Sequence, residues 1–108
     1  MHNTKILKLI HRLREKTETG SLGWEATASP KKFLTTLSDY SVLISEEGDD
    51  YFLTIVDSWD DVIERVSDPE LKQEDRKAYE TMKSLYVLAR RNAKGVDEAI
   101  DDILGSIE

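Results

Sequence analysis

The stretch of residues 40–66 constrains the fold of this chain more than any other part of the sequence. Two runs rich in β-formers, residues 40–45 and 51–57, alternate apolar and polar side chains, and Gly48 lies in the polar segment between them. Because successive side chains of a strand point to opposite faces of a sheet, this pattern predicts an antiparallel hairpin. A third run, residues 62–66, follows closely and extends the prediction to a three-stranded meander.

One face of the predicted meander is apolar and needs a cover that removes it from water. Val42, Ile44, Leu53 and Ile55 fall on alternate positions and share that face. Residues 4–17 repeat apolar side chains at spacings of three and four, which is the pattern of an amphipathic helix. We therefore expect a helix on the amino-terminal side to pack on the sheet.

The segment between this helix and the meander carries a weaker signal. Trp24 to Thr27 and Phe33 to Leu37 are each predicted as short strands. The apolar positions are odd-numbered in the second of these strands and even-numbered after Tyr40. We therefore predict a bulge or tight turn near Ser38 and Asp39 that brings both sets to one face.

Two helices are predicted after the meander. Ser67 to Glu70 is typical of a helix start, with Asp68 available as the cap and Pro69 at the first helical position. The final segment, residues 97–107, has apolar side chains at helical spacing, and so broad a stripe is expected to be buried on the sheet. The prediction is one α+β domain over residues 1–108: an amino-terminal helix, an antiparallel β-meander of three to five strands, and two carboxy-terminal helices on one face of the sheet.

Composition limits the kind of environment in which the chain works. It has 108 residues, of which 39% are hydrophobic and 34% charged, and it contains no cysteine. Such a chain is long enough for one core, and it forms no disulfide or thiolate zinc site. No apolar run approaches the roughly 18 residues that a membrane span needs. We expect a soluble cytoplasmic protein that does not bind membranes.

The charge is unevenly distributed along the chain. The net charge is -7, yet residues 1–16 contain five basic residues against Glu15 alone, whereas residues 39–64 contain nine acidic residues and no Lys or Arg. Binding to a phosphate backbone requires clustered positive charge, so direct binding of nucleic acid is not expected.

No complete catalytic, metal-binding or nucleotide-binding motif is present, and we expect a protein that is not an enzyme and needs no cofactor. The acidic residues around the hairpin are hard oxygen ligands of the kind Mg²⁺ or Ca²⁺ takes. A strand of about six residues spans about 20 Å, however, so Asp49 and Asp57 lie too far apart to share one ion. No metal site is predicted.

A set of packing residues extends over most of the chain: Lys16, Thr17, Trp24, Thr27, Phe33, Thr35, Tyr40, Val42, Ile44, Leu85, Tyr86, Ala89, Arg90 and Arg91. With the hairpin between them, these residues resemble a loose group of small prokaryotic proteins of unassigned function, built from a helix, a short sheet and closing helices. The resemblance implies the fold and a bacterial or phage origin. It implies no activity.

Recognition of another protein is the function that the sequence favours. Trp24 follows a turn at the start of a strand and is predicted to be in the core, whereas Trp59 lies in a short connection and is predicted to be exposed.

The predicted partner-binding residues are Trp59, Asp60, Asp61, Asp49 and Asp50. The partner is another protein of unknown identity, and a homodimer is also left open. The alternative is an acidic inhibitor or immunity-type protein whose carboxylates imitate nucleic-acid charge.

Overall fold

The computed structural model describes residues 2–108, with side chains from Asn3 onward, and it has the predicted α+β architecture. One helix precedes a five-stranded antiparallel sheet, and helices follow it. The elements are α1 (His2–Glu18), β1 (Glu25–Ala26), β2 (Lys32–Leu37), β3 (Tyr40–Glu47), β4 (Asp50–Val56), β5 (Val62–Ser67), α2 (Asp68–Leu71), α3 (Ala78–Ala93) and α4 (Val96–Ile107).

The five strands form a meander in which neighbours in sequence are neighbours in the sheet. The β2–β3 and β3–β4 connections are two-residue turns, and the first central residue of each has a positive φ, 58° at Ser38 and 63° at Gly48. Turns of this handedness match the twist of a hairpin, and glycine adopts that φ without steric cost. The tight turn at Ser38 pairs Thr35 with Val42, which confirms the predicted change of phase.

Helices α1 and α3 lie beside each other and share one hydrophobic core with a face of the sheet. α1 packs along α3, and α3 lies against strands β1 to β4. The largest fully buried side chains come from all three layers: Ile10 of α1, Phe33, Ile44 and Leu53 of the sheet, Met82 and Leu85 of α3, and Leu71 of α2.

The structure has three helices after the sheet where two were predicted, and the start of the first one, α2, also differs from the prediction. Ser67, not Asp68, is the N-cap of α2, and Glu70 Oε1 accepts hydrogen bonds from both the Ser67 N–H and its hydroxyl. The Asp68 carboxylate accepts a 2.8 Å hydrogen bond from the Tyr51 N–H, so it joins the helix start to the sheet. Pro69 is the second residue of α2, one position later than predicted, because the helix begins at Asp68.

The final helix is formed as predicted, but the expected burial of its apolar stripe is wrong. No residue of α4 is buried, and Ile107 is 75% exposed. Helix α4 contacts α3. The helix–strand contacts come chiefly from α2 and α3, and α4, which begins two residues after α3 ends, packs against α3 rather than the sheet. The molecule is therefore elongated, with a longest axis of 53 Å.

Aromatic rings connect α3 to the sheet. The Tyr86 ring lies 5.6 Å from Phe33 and 5.4 Å from Tyr51, measured between centroids, and Tyr51 lies 5.5 Å from Tyr79. The Tyr51 hydroxyl donates to Glu46 Oε2 at 3.2 Å. Burial, together with the neighbouring Glu46 carboxylate, raises the pKa of Tyr51 well above its usual value, and burial also raises the pKa of Tyr86.

These raised pKa values predict a loss of stability in alkaline solution. Because the folded state holds the phenol proton more tightly than the unfolded state, this contribution is complete below about pH 10 and is lost as the pH rises through the folded-state pKa. We expect the free energy of unfolding, measured by urea denaturation, to fall steeply above about pH 10. Tyr51→Phe should flatten the fall, and Tyr40→Phe, at an exposed phenol, should not. An unchanged slope in Tyr51→Phe would contradict this explanation.

Candidate protein-binding surface

The connection between β4 and β5 is held in one conformation by its first residue. Asp57 Oδ1 accepts hydrogen bonds from the Trp59 N–H at 2.9 Å and the Asp61 N–H at 3.0 Å. The Asp57 N–H also donates to the Asp61 carbonyl at 2.9 Å, and Asp60 adopts a φ of 65°. Asp is suited to this position because its short carboxylate reaches the backbone two residues on. The loop therefore presents its side chains from a fixed backbone.

The two tryptophans lie in the environments that the sequence predicts. Trp24 is 5% exposed, and its Nε1–H donates to Thr17 Oγ1 at 2.9 Å. Trp59 is 83% exposed. Val62 and Ile63, at the start of β5, are also exposed, and we call these three residues, Trp59, Val62 and Ile63, the Trp59 surface.

Strand β5 is an edge of the sheet, but its backbone is partly blocked for pairing with another strand. The Arg65 N–H donates to Glu64 Oε1 at 3.1 Å, and the Ser67 N–H donates to Glu70 Oε1 at 3.0 Å. Side-chain carboxylates thus occupy donors that an incoming strand would need. The edge is therefore less available for strand pairing at Arg65 and Ser67.

The structure divides the predicted partner-binding residues between two ends of β4. Trp59, Asp60 and Asp61 lie together in the β4–β5 loop, whereas Asp49 and Asp50 lie at the β3–β4 turn. The seven residues of β4 separate the two groups by about 20 Å. They do not form one surface, and within the described residues no group of three or more His, Asp or Glu side chains is arranged to hold a metal ion.

An ion pair that the sequence did not predict lies on the open face of the sheet, which is the face opposite α3. Arg65 Nη2 lies 2.6 Å from Glu47 Oε2, and the guanidinium carbon lies 4.0 Å from the centroid of the Phe52 ring. The hydrogen bond from Arg65 lowers the pKa of the Glu47 carboxyl. The open face therefore carries a basic residue, Arg65, beside its acidic residues. Arg65 lies just after residues 39–64, the segment that contains no Lys or Arg.

The apolar stripe of α4 is the other surface that sequence reasoning missed. The spacing of its apolar residues predicts a helix with one apolar side, but the prediction places that side in the core. The exposed large side chains of this stripe are Ile100, Ile103, Leu104 and Ile107.

The part of the chain that the structure describes contains no helix of the length and apolarity needed to cross a membrane. A scan against protein-family models, a search of curated proteins and a search of solved structures each found no match. The resemblance to small prokaryotic proteins stays a prediction.

Proposed function

We propose that this protein is a small non-enzymatic module of the cytoplasm that binds another protein through the Trp59 surface. The observation that carries the proposal is the 83% exposure of a tryptophan on a loop whose backbone is fixed by Asp57. Tryptophan is among the residues that contribute most of the energy at protein interfaces. A loop that is already ordered loses little conformational entropy on binding, so more of that energy appears as affinity.

The charge around the Trp59 surface indicates the chemistry of the partner. Asp60 and Asp61 are exposed beside the ring, and neither forms a salt bridge among the described residues. A basic patch on the partner complements these carboxylates and increases the rate of encounter. The proposed partner is therefore a protein with an apolar pocket for the indole and basic residues at its rim.

The acidic-inhibitor alternative receives less support from the geometry. An imitation of nucleic acid requires a continuous row of negative charge, whereas Asp49 and Asp50 lie at the opposite end of β4 from Asp60 and Asp61. Glu47 is already paired with Arg65. Two separated pairs of carboxylates are more consistent with a local contact between one pair, Asp60 and Asp61, and basic residues of the partner.

Photo-crosslinking tests the proposal. A photoreactive phenylalanine analogue at position 59 should form a covalent adduct with one specific protein in an extract of the source cells. The same analogue at position 87, an exposed site on α3 outside the Trp59 surface, should not. Repeating the experiment with Asp60→Lys and Asp61→Lys should reduce the yield of the adduct. Equal adducts from positions 59 and 87, or none from position 59, would contradict the proposal.

A further inference from the structure

Helix α4 needs a binding partner to be stable as a helix. It has twelve residues, none of them buried, and four large aliphatic side chains on one stripe. An isolated helix shorter than about 12–15 residues is marginal in water, because nucleation costs more than so few hydrogen bonds return. Only packing of the stripe against another surface provides the missing free energy.

A groove with an apolar lining and basic residues at its rim lies beside α1. Its apolar lining consists of Leu9 and Leu13 of α1, Leu22, and Leu37 at the end of β2, and Arg12 and Lys16 form its rim. Leu37 remains 37% exposed there. Helix α1, with 17 residues, is about 25 Å long, so it is long enough for a helix of about 18 Å such as α4 to lie along it.

The charges along α1 and α4 are complementary in sign and in spacing. Helix α4 contains acidic residues and no Lys or Arg, and one edge of its stripe carries acids separated by four and seven residues. The edge of α1 beside Leu9 carries basic residues separated by seven and four residues. If the two helices are antiparallel, Asp101 is opposed to Arg12 and Glu108 to Lys5. Asp97 would lie near Lys16 but is already paired with Arg91 of its own chain.

Helix α4 of the same chain does not occupy the groove in this structure, since its stripe is exposed. The first residues of α4, Val96 to Glu98, instead line a cleft with Thr17 and Glu18 at the carboxy end of α1. The connection from α3 to α4 has two residues, and the Arg91–Asp97 ion pair, at 2.8 Å, fixes the start of α4 beside α3. These constraints favour a second copy as the source of the helix.

We propose that the protein is a homodimer in which α4 of each copy lies antiparallel in the α1 groove of the other. The contact is made twice, so it buries two apolar stripes and brings together two sets of opposite charges. It uses none of the residues of the Trp59 surface, so each dimer presents two partner-binding sites. The proposed dimer does not depend on the function proposed for that surface.

A charge-exchange experiment measured by sedimentation equilibrium tests the dimer. The groove variant is Lys5→Glu with Arg12→Glu, and the helix variant is Asp101→Lys with Glu108→Lys. All four side chains are exposed, so both variants should fold, which circular dichroism checks. Each variant alone should dissociate at least about tenfold more readily than the unaltered protein, since attraction between the edges becomes repulsion.

Mixing the two variants should restore association, because an acidic helix then meets a basic groove and a basic helix meets an acidic groove. A matched reversal on α3 and the α2–α3 connection, Lys72→Glu with Lys83→Glu, should leave the dissociation constant unchanged. Two results would overturn the proposal. One is a monomer at every concentration of the unaltered protein. The other is a groove variant that associates as well as the unaltered protein, which would show that the copies associate through a surface other than the α1 groove.

Discussion

Trp24→Ala is expected to lower the free energy of unfolding by about 3–5 kcal/mol. The indole is 5% exposed and belongs to the single core cluster that α1, α3 and the sheet share. Its removal leaves a cavity that the neighbouring elements fill only in part. It also leaves Thr17 Oγ1 without the hydrogen bond from Nε1. Urea denaturation followed by circular dichroism measures the loss.

Two variants control for effects unrelated to the cavity. Trp24→Phe keeps most of the ring volume and loses the Nε1 hydrogen bond, so its cost should be clearly smaller than that of Trp24→Ala. Trp59→Ala removes an equal side chain from an exposed site and should cost less than about 1 kcal/mol. Similar losses at the two tryptophans would show that the assignment of one to the core and the other to the surface is mistaken.

Tyr86→Ala should have the second-largest effect, also about 3–5 kcal/mol. This ring is 8% exposed and lies between Phe33 and Tyr51, so it connects α3 to two strands at once. Aromatic pairs of this tilted geometry add about 0.5–1.5 kcal/mol each beyond the area that they bury. Thermal denaturation at neutral pH, where both phenols are protonated, is the appropriate measurement.

Tyr79→Ala is the matched control on the same helix. Tyr79 contacts the Tyr51 ring from the rim of the cluster and is 43% exposed, so its loss should cost about 1 kcal/mol. If Tyr79→Ala destabilises the protein as much as Tyr86→Ala, the cluster does not have the centre and rim that the structure shows.

The sheet was predictable from the sequence because alternation in a strand is a local property. The positions of Val42 and Leu53 specify the buried face, and the shift from odd to even positions required a tight turn at Ser38. The opposite environments of Trp24 and Trp59 were predictable for a similar reason. A strand start beneath a helix is buried, and a short connection lies at the surface.

The environment of α4 was not predictable, because periodicity shows that a helix has an apolar side but not what covers that side. Ile103 has the spacing of a core residue and is 59% exposed, since α4 packs against α3 rather than the sheet. The Glu47–Arg65 pair was missed because it depends on cross-strand register and on the Arg65 side chain crossing Phe52. The length of a strand predicts that Asp49 and Asp60 are far apart. The predicted partner-binding residues nevertheless include both, because acidic charge alone selects them.

The affinity of the crosslinked partner for the unaltered protein and for Trp59→Ala tests the proposed function most directly. Isothermal titration with purified proteins at two salt concentrations is the measurement. We predict that Trp59→Ala raises the dissociation constant at least about fivefold, equivalent to about 1 kcal/mol, and that added salt weakens binding of the unaltered protein through Asp60 and Asp61. An unchanged dissociation constant in Trp59→Ala would contradict the assignment of the Trp59 surface as the binding site.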